Sequence, residues 1–301
     1  MLFTWTWWRV VFYDFNAGMC ILNALARCVV VGQAHEALDI VLFPYWPNMQ
    51  RLFSEFGFQF MECPYEESYT EHVLGHHPHT NTDIDPDLNM KQHIPLWRLT
   101  ALTPWSVLHT WPLVTSSAIG LLMPTLNVLL RSFRLLFLFA VLRRDIAVFW
   151  TCLLLLHWLP MFYRPWKSGL KMVFFTSMLS GAVIFHGFHA NHVAQVAQEV
   201  PYEPGVDWGM HQVRTRVNFD TWGLSGGLDL QIEHHLFPML SRMLQHEVKP
   251  IVMETSREFG VPYHSSSSVF SHLCIMFAHM VSLGWGDGFI VQSDDSFRGE
   301  R

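Results

Sequence analysis

The chain has 301 residues, half of them hydrophobic and 15% charged, and its 19 basic and 25 acidic side chains give a formal net charge of -6. Soluble domains carry about 25% charge, so this chain has too little polar surface to face water on every side, and a membrane is its natural solvent. The acidic balance also lacks the basic footprint of a nucleic-acid binder, which removes that class.

Residues 1–34 are apolar and aromatic but are interrupted by Arg9, Asp14 and Arg27. They predict one imperfect membrane helix, because the basic start and small-residue cleavage site of a signal peptide are missing. Residues 35–100 are rich in His, Asp, Pro and Asn and belong outside the bilayer. Residues 101–188 form a membrane region. Within it, residues 146–163 and 170–188 each approach the ~20 residues a helix needs to span hydrocarbon. Arg164, Pro165, Trp166 and Lys167 part them, so the pair predicts a hairpin with a basic and aromatic turn at the interface. Residues 107–130 contain Pro112 and Pro124 and read as an interfacial or re-entrant piece.

Residues 189–267 return to mixed polarity and read as a cap outside the bilayer. In them Leu240, Met243, Leu244, Val248, Ile251 and Val252 fall at helical spacing before Gly260, a helix stop. The closing segment, 268–301, holds an apolar run too short and too broken by histidine to span. The expected fold is therefore all-α, a single multi-span helical membrane domain over residues 1–301. Five cysteines without a CxxC pair exclude a disulfide framework and a zinc ribbon.

Chemistry is concentrated in clustered histidines. His72, His76 and His77 form one cluster. On an α-helix His72 and His76 share a face and converge on one metal, while His77, about 100° away, reaches toward a second. Gln231, His234 and His235 repeat that logic at i, i+3 and i+4, with the glutamine as a weak oxygen ligand or a partner for metal-bound water. His186, His189, Asn191 and His192 stand at the end of the second hairpin helix, where an unpartnered histidine is costly. His35 and Asp39, again four apart, supply a histidine and a carboxylate acceptable to iron. Isolated histidines such as His109, His157 and His246 read as packing or surface residues. An even number of membrane crossings between the second and third clusters puts both on one face.

The run from Glu71 to His77 with Thr80-Asn81 and Asp85-Pro86-Asp87-Leu88, and the run from Trp222 to Pro238 containing Gln231-Ile232-Glu233-His234-His235-Leu236-Phe237-Pro238, resemble the membrane fatty acid desaturase family. The glutamine at the head of the third motif is similar to its front-end branch. The resemblance covers the chain from about His35 to the end. It implies two iron ions under a cytosolic helical cap on membrane helices. It implies further that dioxygen is a co-substrate and that cytochrome b5 and NADH-cytochrome b5 reductase deliver electrons. The substrate would be an acyl-CoA or acyl-lipid, and the location the endoplasmic reticulum membrane with the histidines on its cytosolic side. The iron ligands it implies are His35, His72, His76, His77, His192, His234 and His235, with His189 and Asp39 as further metal candidates and Gln231 and Asn191 as supporting cofactor-binding positions.

Three departures bear on activity. Asp39 stands where the first motif normally ends in histidine, one membrane helix precedes that motif where the family has two, and the cytochrome b5 domain common in this branch is not in the sequence, so either the donor is a separate protein or the chain is an incomplete version of a longer one. The alternatives are a catalytically impaired or truncated desaturase-like protein, or a lipid hydroxylase or sphingolipid desaturase of the same superfamily. A metal-ion carrier would need charged groups within its spans, and residues 146–163 and 170–188 hold almost none.

Overall fold

The computed structural model describes residues 2–13, 16–39, 41–58, 68–82, 84–86, 159–192, 194, 197, 205–219 and 229–285, without the side chains of 3, 4, 28, 56, 180–190 and 280–285. Within this description the chain is mostly helical. Residues 146–158 of the expected hairpin, the piece at 107–130 and the tail after 285 lie outside it.

The amino-terminal segment is two helices where the sequence predicts one over 1–34. Helix α1 spans Leu2–Phe12 and α2 spans Ala17–Leu38. The break is set by Asn16, whose backbone is extended (φ -124°, ψ 156°) and whose Oδ1 accepts from the Met19 amide at 2.8 Å. That bond satisfies a first-turn donor and starts a new helix. The second helix also runs further than expected, carrying His35 into its last turn. Among the described residues, α2 is the helix long and apolar enough to cross a membrane. At about 16 Å, the 11-residue α1 is too short to do so.

Packing around α2 is partly inverted relative to a soluble core. Val10, Val11, Cys20 and Met172 form a buried apolar cluster, yet Thr6, Asn23, Arg27, Thr176 and Ser177 are buried beside it. Asn23 Nδ2 donates to Thr6 Oγ1 at 3.1 Å. Meanwhile Ile21, Leu25 and Val29, spaced four apart along α2, are exposed. Thr176 Oγ1 donates to Met172 O at 2.8 Å, and such polar groups inside with an apolar stripe outside suit a lipid-facing bundle.

Helix α3, Pro47–Phe58, folds back along the end of α2. A π-helix, π1, covers Tyr69–His76 and runs into a single turn, α4, at His77–His79. After a turn at Arg164 and Pro165 comes α5, Trp166–Ala190. The Arg164 guanidinium donates to Val11 O at 2.8 Å and Val10 O at 3.2 Å, capping the carbonyl end of α1. Helices α6, Trp208–Arg214, α7, Gln231–Leu236, and α8, Arg242–Glu258, pack through Val213, Ile232, Val252 and Val261. Helix α9 spans Val269–Trp285. Cys20 and Cys274 are free thiols.

One short ladder accompanies the helices. Strands β1, Asn218–Phe219, and β2, Ser265–Ser266, pair in parallel, with Asn218 opposite Ser265 and Phe219 opposite Ser266. The two segments flank α7 and α8 in sequence. Their backbone groups are buried and need partners, which a two-residue ladder provides without any strand signature in the sequence.

Candidate metal centre

Four segments of the chain bring the histidines together. The last turn of α2 supplies His35 and Asp39, and its Ala34 and Leu38 pack against Tyr69 and Val73 of π1. That contact seats His72 beside His35, their Nε2 atoms 2.7 Å apart. The chain after α5 supplies Asn191 and His192, and α7 supplies His234 and His235.

The π-helical backbone decides which histidines meet. The His77 amide bonds to the His72 carbonyl five residues back, which widens the turn relative to an α-helix. His72 and His77 therefore converge, Nε2 to Nε2 at 3.1 Å. The sequence reading lets His72 and His76 meet at one metal; here His72 groups with His35, Asp39 and His234, whereas His76 groups with His192 and His235. His77, His234 and His235 make a third, overlapping group, and within each group the ligand atoms lie within 4.8 Å of one another. Adjacent His234 and His235 are split because successive helical residues point about 100° apart.

Eight sequence-predicted residues thus form one continuous set, all buried except half-buried His72: His35, Asp39, His72, His76, His77, His192, His234 and His235. His189 is the penultimate residue of α5, and its side chain lies outside the described residues. Asn191 is buried directly before His192, its carbonyl accepting from the Val217 amide at 3.2 Å. Gln231 is buried one turn before the histidine pair of α7.

The donor chemistry fits a metal. Burial holds the imidazoles of His77, His234 and His235 well below the usual histidine range, so they are neutral. Neutral imidazole is the form that ligates. His234 Nε2 and His235 Nε2 are buried without a hydrogen-bond partner, as are both carboxylate oxygens of Asp39. Asp39 Oδ1 lies 3.7 Å from His77 Nε2, and its Oδ2 lies 3.2 Å from His35 Nδ1 and 3.7 Å from His234 Nε2. Burial pushes this carboxyl up to about 7, a poor anion unless a cation stabilises it.

Around this set stands a polar framework that the sequence reading passed over. His76 Nδ1 faces both oxygens of Asp85 at 3.0 Å. A carboxylate on Nδ1 fixes the ring and leaves Nε2 toward a metal. Asp85 is held by the Asn81 amide at 2.8 Å. Asn81 adopts φ 57°, in the left-handed region, and its Nδ2 donates to the carbonyls of His192, Ala197 and Thr215 at 3.1, 3.1 and 2.8 Å. One side chain thereby ties the second cluster to the segment bearing His192. His211 Nε2 bonds to Thr80 O at 2.8 Å, and Gln212 Nε2 to His77 O at 3.0 Å. Behind α7, Glu233 accepts from Tyr263 Oη at 2.7 Å and Asn218 Nδ2 at 2.7 Å, while Asn218 Oδ1 accepts the Ile232 amide at 2.9 Å. Thr80, Asn81, Asp85 and Glu233 stood inside the quoted motifs, but single polar residues have no period to mark them.

The family model described as fatty acid desaturase matches residues 5–267. An acyl-lipid (8-3)-desaturase of Physcomitrium patens is 28% identical over 237 residues, 71% of this chain and 49% of that protein. The acyl-lipid (8-3)-desaturase of Mortierella alpina is 27% identical over 238 residues, 71% of this chain and 53% of that protein. Delta(8)-fatty-acid desaturase 1 of Arabidopsis thaliana is 33% identical over 130 residues, 40% of this chain and 27% of that protein. The chain spans about half the length of the first two of these curated relatives. No solved structure gives a significant match. With the family match extending over most of its length, the chain belongs to the fatty acid desaturase family, in the front-end branch that its third histidine motif resembles.

Proposed function

We propose that this chain is a front-end acyl desaturase that holds two iron ions and places a cis double bond in a polyunsaturated acyl chain. The observation that carries the reading is the convergence of eight metal-ligating side chains from distant parts of the sequence into overlapping buried groups. His35, Asp39, His72 and His234 would hold one ion, and His76, His192 and His235 the other. His77 lies against both sets through His234 and His235. His189, Gln231 and Asn191 are supporting positions, the last two through an amide oxygen to the ion or to its water.

When bound, the irons supply with dioxygen and two electrons the oxidising power needed to take hydrogen from adjacent methylenes, which side-chain acid-base chemistry cannot do. The residues do the rest. Asp85 fixes the His76 ring, the Glu233 network fixes the helix bearing His234 and His235, and burial keeps bulk water from the pocket. In this reading residues 101–188 cross the membrane more than once, and 189–267 cap the centre on the cytosolic face of the endoplasmic reticulum. Electrons come from cytochrome b5 and its NADH-dependent reductase. An acyl-lipid carrier fits the names of the relatives better than acyl-CoA.

The test is expression in yeast fed candidate polyunsaturated acids, with chromatography of the lipids. A new double bond on the carboxyl side of an existing one is expected. Purified protein should hold about two irons per chain, and stoichiometric zinc alone would count against the reading. Asp39 favours a second reading, a desaturase-like protein impaired in turnover. A silent parent that gains unsaturated product on Asp39→His would select it.

A further inference from the structure

Helix α3 has its polarity the wrong way round for a helix in water. At 3.6 residues per turn its side chains fall into three sectors. The first, Gln50, Ser54 and Gly57, is buried against the end of α2. Gln50 Oε1 accepts the Phe43 amide at 2.6 Å, and Ser54 Oγ donates to Ala34 O at 3.0 Å. A Cβ on Gly57 would come within 2.1 Å of Ala34 Cβ, so only glycine admits this approach. The second sector, Asn48, Arg51 and Glu55, is polar, with Arg51 Nε paired to Glu55 Oε1 at 2.7 Å.

The third sector is apolar and faces outward. Met49, Leu52 and Phe53 are 43%, 44% and 37% exposed, and Tyr45 and Trp46 at the head of the helix are 90% and 66% exposed. The helix buries a polar and small face, sets charge on a second, and leaves its large apolar residues uncovered. In water that arrangement leaves apolar surface unburied while polar groups take its place inside.

We propose that α3 is an interfacial helix whose Tyr45, Met49, Leu52 and Phe53 sector lies in the lipid of the membrane that α2 enters. Three observations select lipid as the occupant. Helix α3 is locked to Ala34 of α2, which among the described residues is the helix long and apolar enough to cross a membrane and whose Ile21, Leu25 and Val29 stripe is also exposed. Its charged sector stands away from the apolar one, as in helices that lie in the headgroup plane. It opens on Tyr45 and Trp46, the residue types that settle at the membrane-water boundary. The consequence concerns the metal centre. Ala34 precedes His35, so the lipid boundary lies within one helical turn of a ligand. An acyl chain then reaches the site from the bilayer without crossing bulk water. The inference does not rest on the desaturase reading, and it replaces the expectation that residues 35–100 stay clear of the bilayer.

The test uses the full chain in nanodiscs of phosphatidylcholine carrying a photoactivatable acyl chain, with adducts located by mass spectrometry. Adducts at Met49, Leu52 or Phe53 are expected together with adducts at Ile21, Leu25 and Val29. Spin labels on Met49→Cys and Leu52→Cys should relax more with dissolved oxygen than with an aqueous nickel chelate, measured against the background of the parent cysteines. Labels on Asn48→Cys and Arg51→Cys should show the reverse order. Adducts confined to α2, or equal relaxation at all four positions, would overturn the proposal. Labels at 49 and 52 shielded from both reagents would overturn it in favour of a protein partner or a second copy.

Discussion

His76 and Asp85 show how a single bond can govern a metal site from behind. With its Nδ1 on the carboxylate at 3.0 Å, the His76 ring has one orientation and one free nitrogen. Losing such a partner typically costs 10–100-fold in metal affinity. We therefore expect Asp85→Asn to weaken binding of one metal ion about that much, read by competition with a chelator, while helix content by circular dichroism is retained. Equal affinity in variant and parent would make Asp85 a packing residue. Asp39 works from inside the centre. Asp39→Ala should remove close to one metal ion per purified chain, and Asp39→His should keep both, since each oxygen of the carboxylate faces a different histidine. At this scale the sequence was informative where residues repeat: clustered histidines announced themselves by spacing. Asp85, Asn81 and Tyr263 did not, because a residue that acts by one long-range contact leaves no local pattern.

The element that shaped the centre most is π1. Five-residue spacing pairs His72 with His77 and frees His76 for the second ligand group, an arrangement an α-helix would not give. Inserting an alanine after exposed Leu74 would break the five-residue register and carry His76 and His77 about 100° further round the helix axis from His72. Metal content should then fall sharply while Leu74→Ala stays near the parent, both read by elemental analysis of purified protein. Retention of both ions after the insertion would show that the five-residue spacing is incidental. Gly75 in the same helix is fixed by a neighbour: a Cβ there would lie 2.4 Å from Pro86 Cγ, so Gly75→Ala must push the Asp85-Pro86 segment off His76. The π-turn was illegible in sequence because i+4 and i+5 spacings coexist in His72, His76 and His77. Helix α8 was legible as a helix, and Gly260 does follow it with φ 63°. Its apolar positions were not legible as core: Val252 is buried, while Met243, Leu244 and Ile251 are exposed.

For the molecule as a whole, composition pointed to a membrane and motif spacing to a metal, but the way α2, π1 and α7 meet required coordinates. Because those elements come from far apart in the chain, bound metal should act as a clamp, stabilising the fold in proportion to its occupancy. Protons oppose it. His77, His234 and His235 are held neutral by burial in the folded chain, whereas in the unfolded chain they take up protons below about pH 6.5. The unfolded state then binds more protons than the folded one, so stability is intact above that pH and is lost as pH falls through it, each group contributing at most about 1.4 kcal/mol per pH unit. Protons on unfolded or opened segments also compete with metal for the same nitrogens. The melting temperature of metal-loaded protein in detergent should therefore exceed that of chelator-treated protein clearly at pH 8, and the gap should narrow toward pH 5.5. A gap that is the same at both pH values would mean that metal is not held by these imidazoles, and the convergence of α2, π1 and α7 would then need another cause.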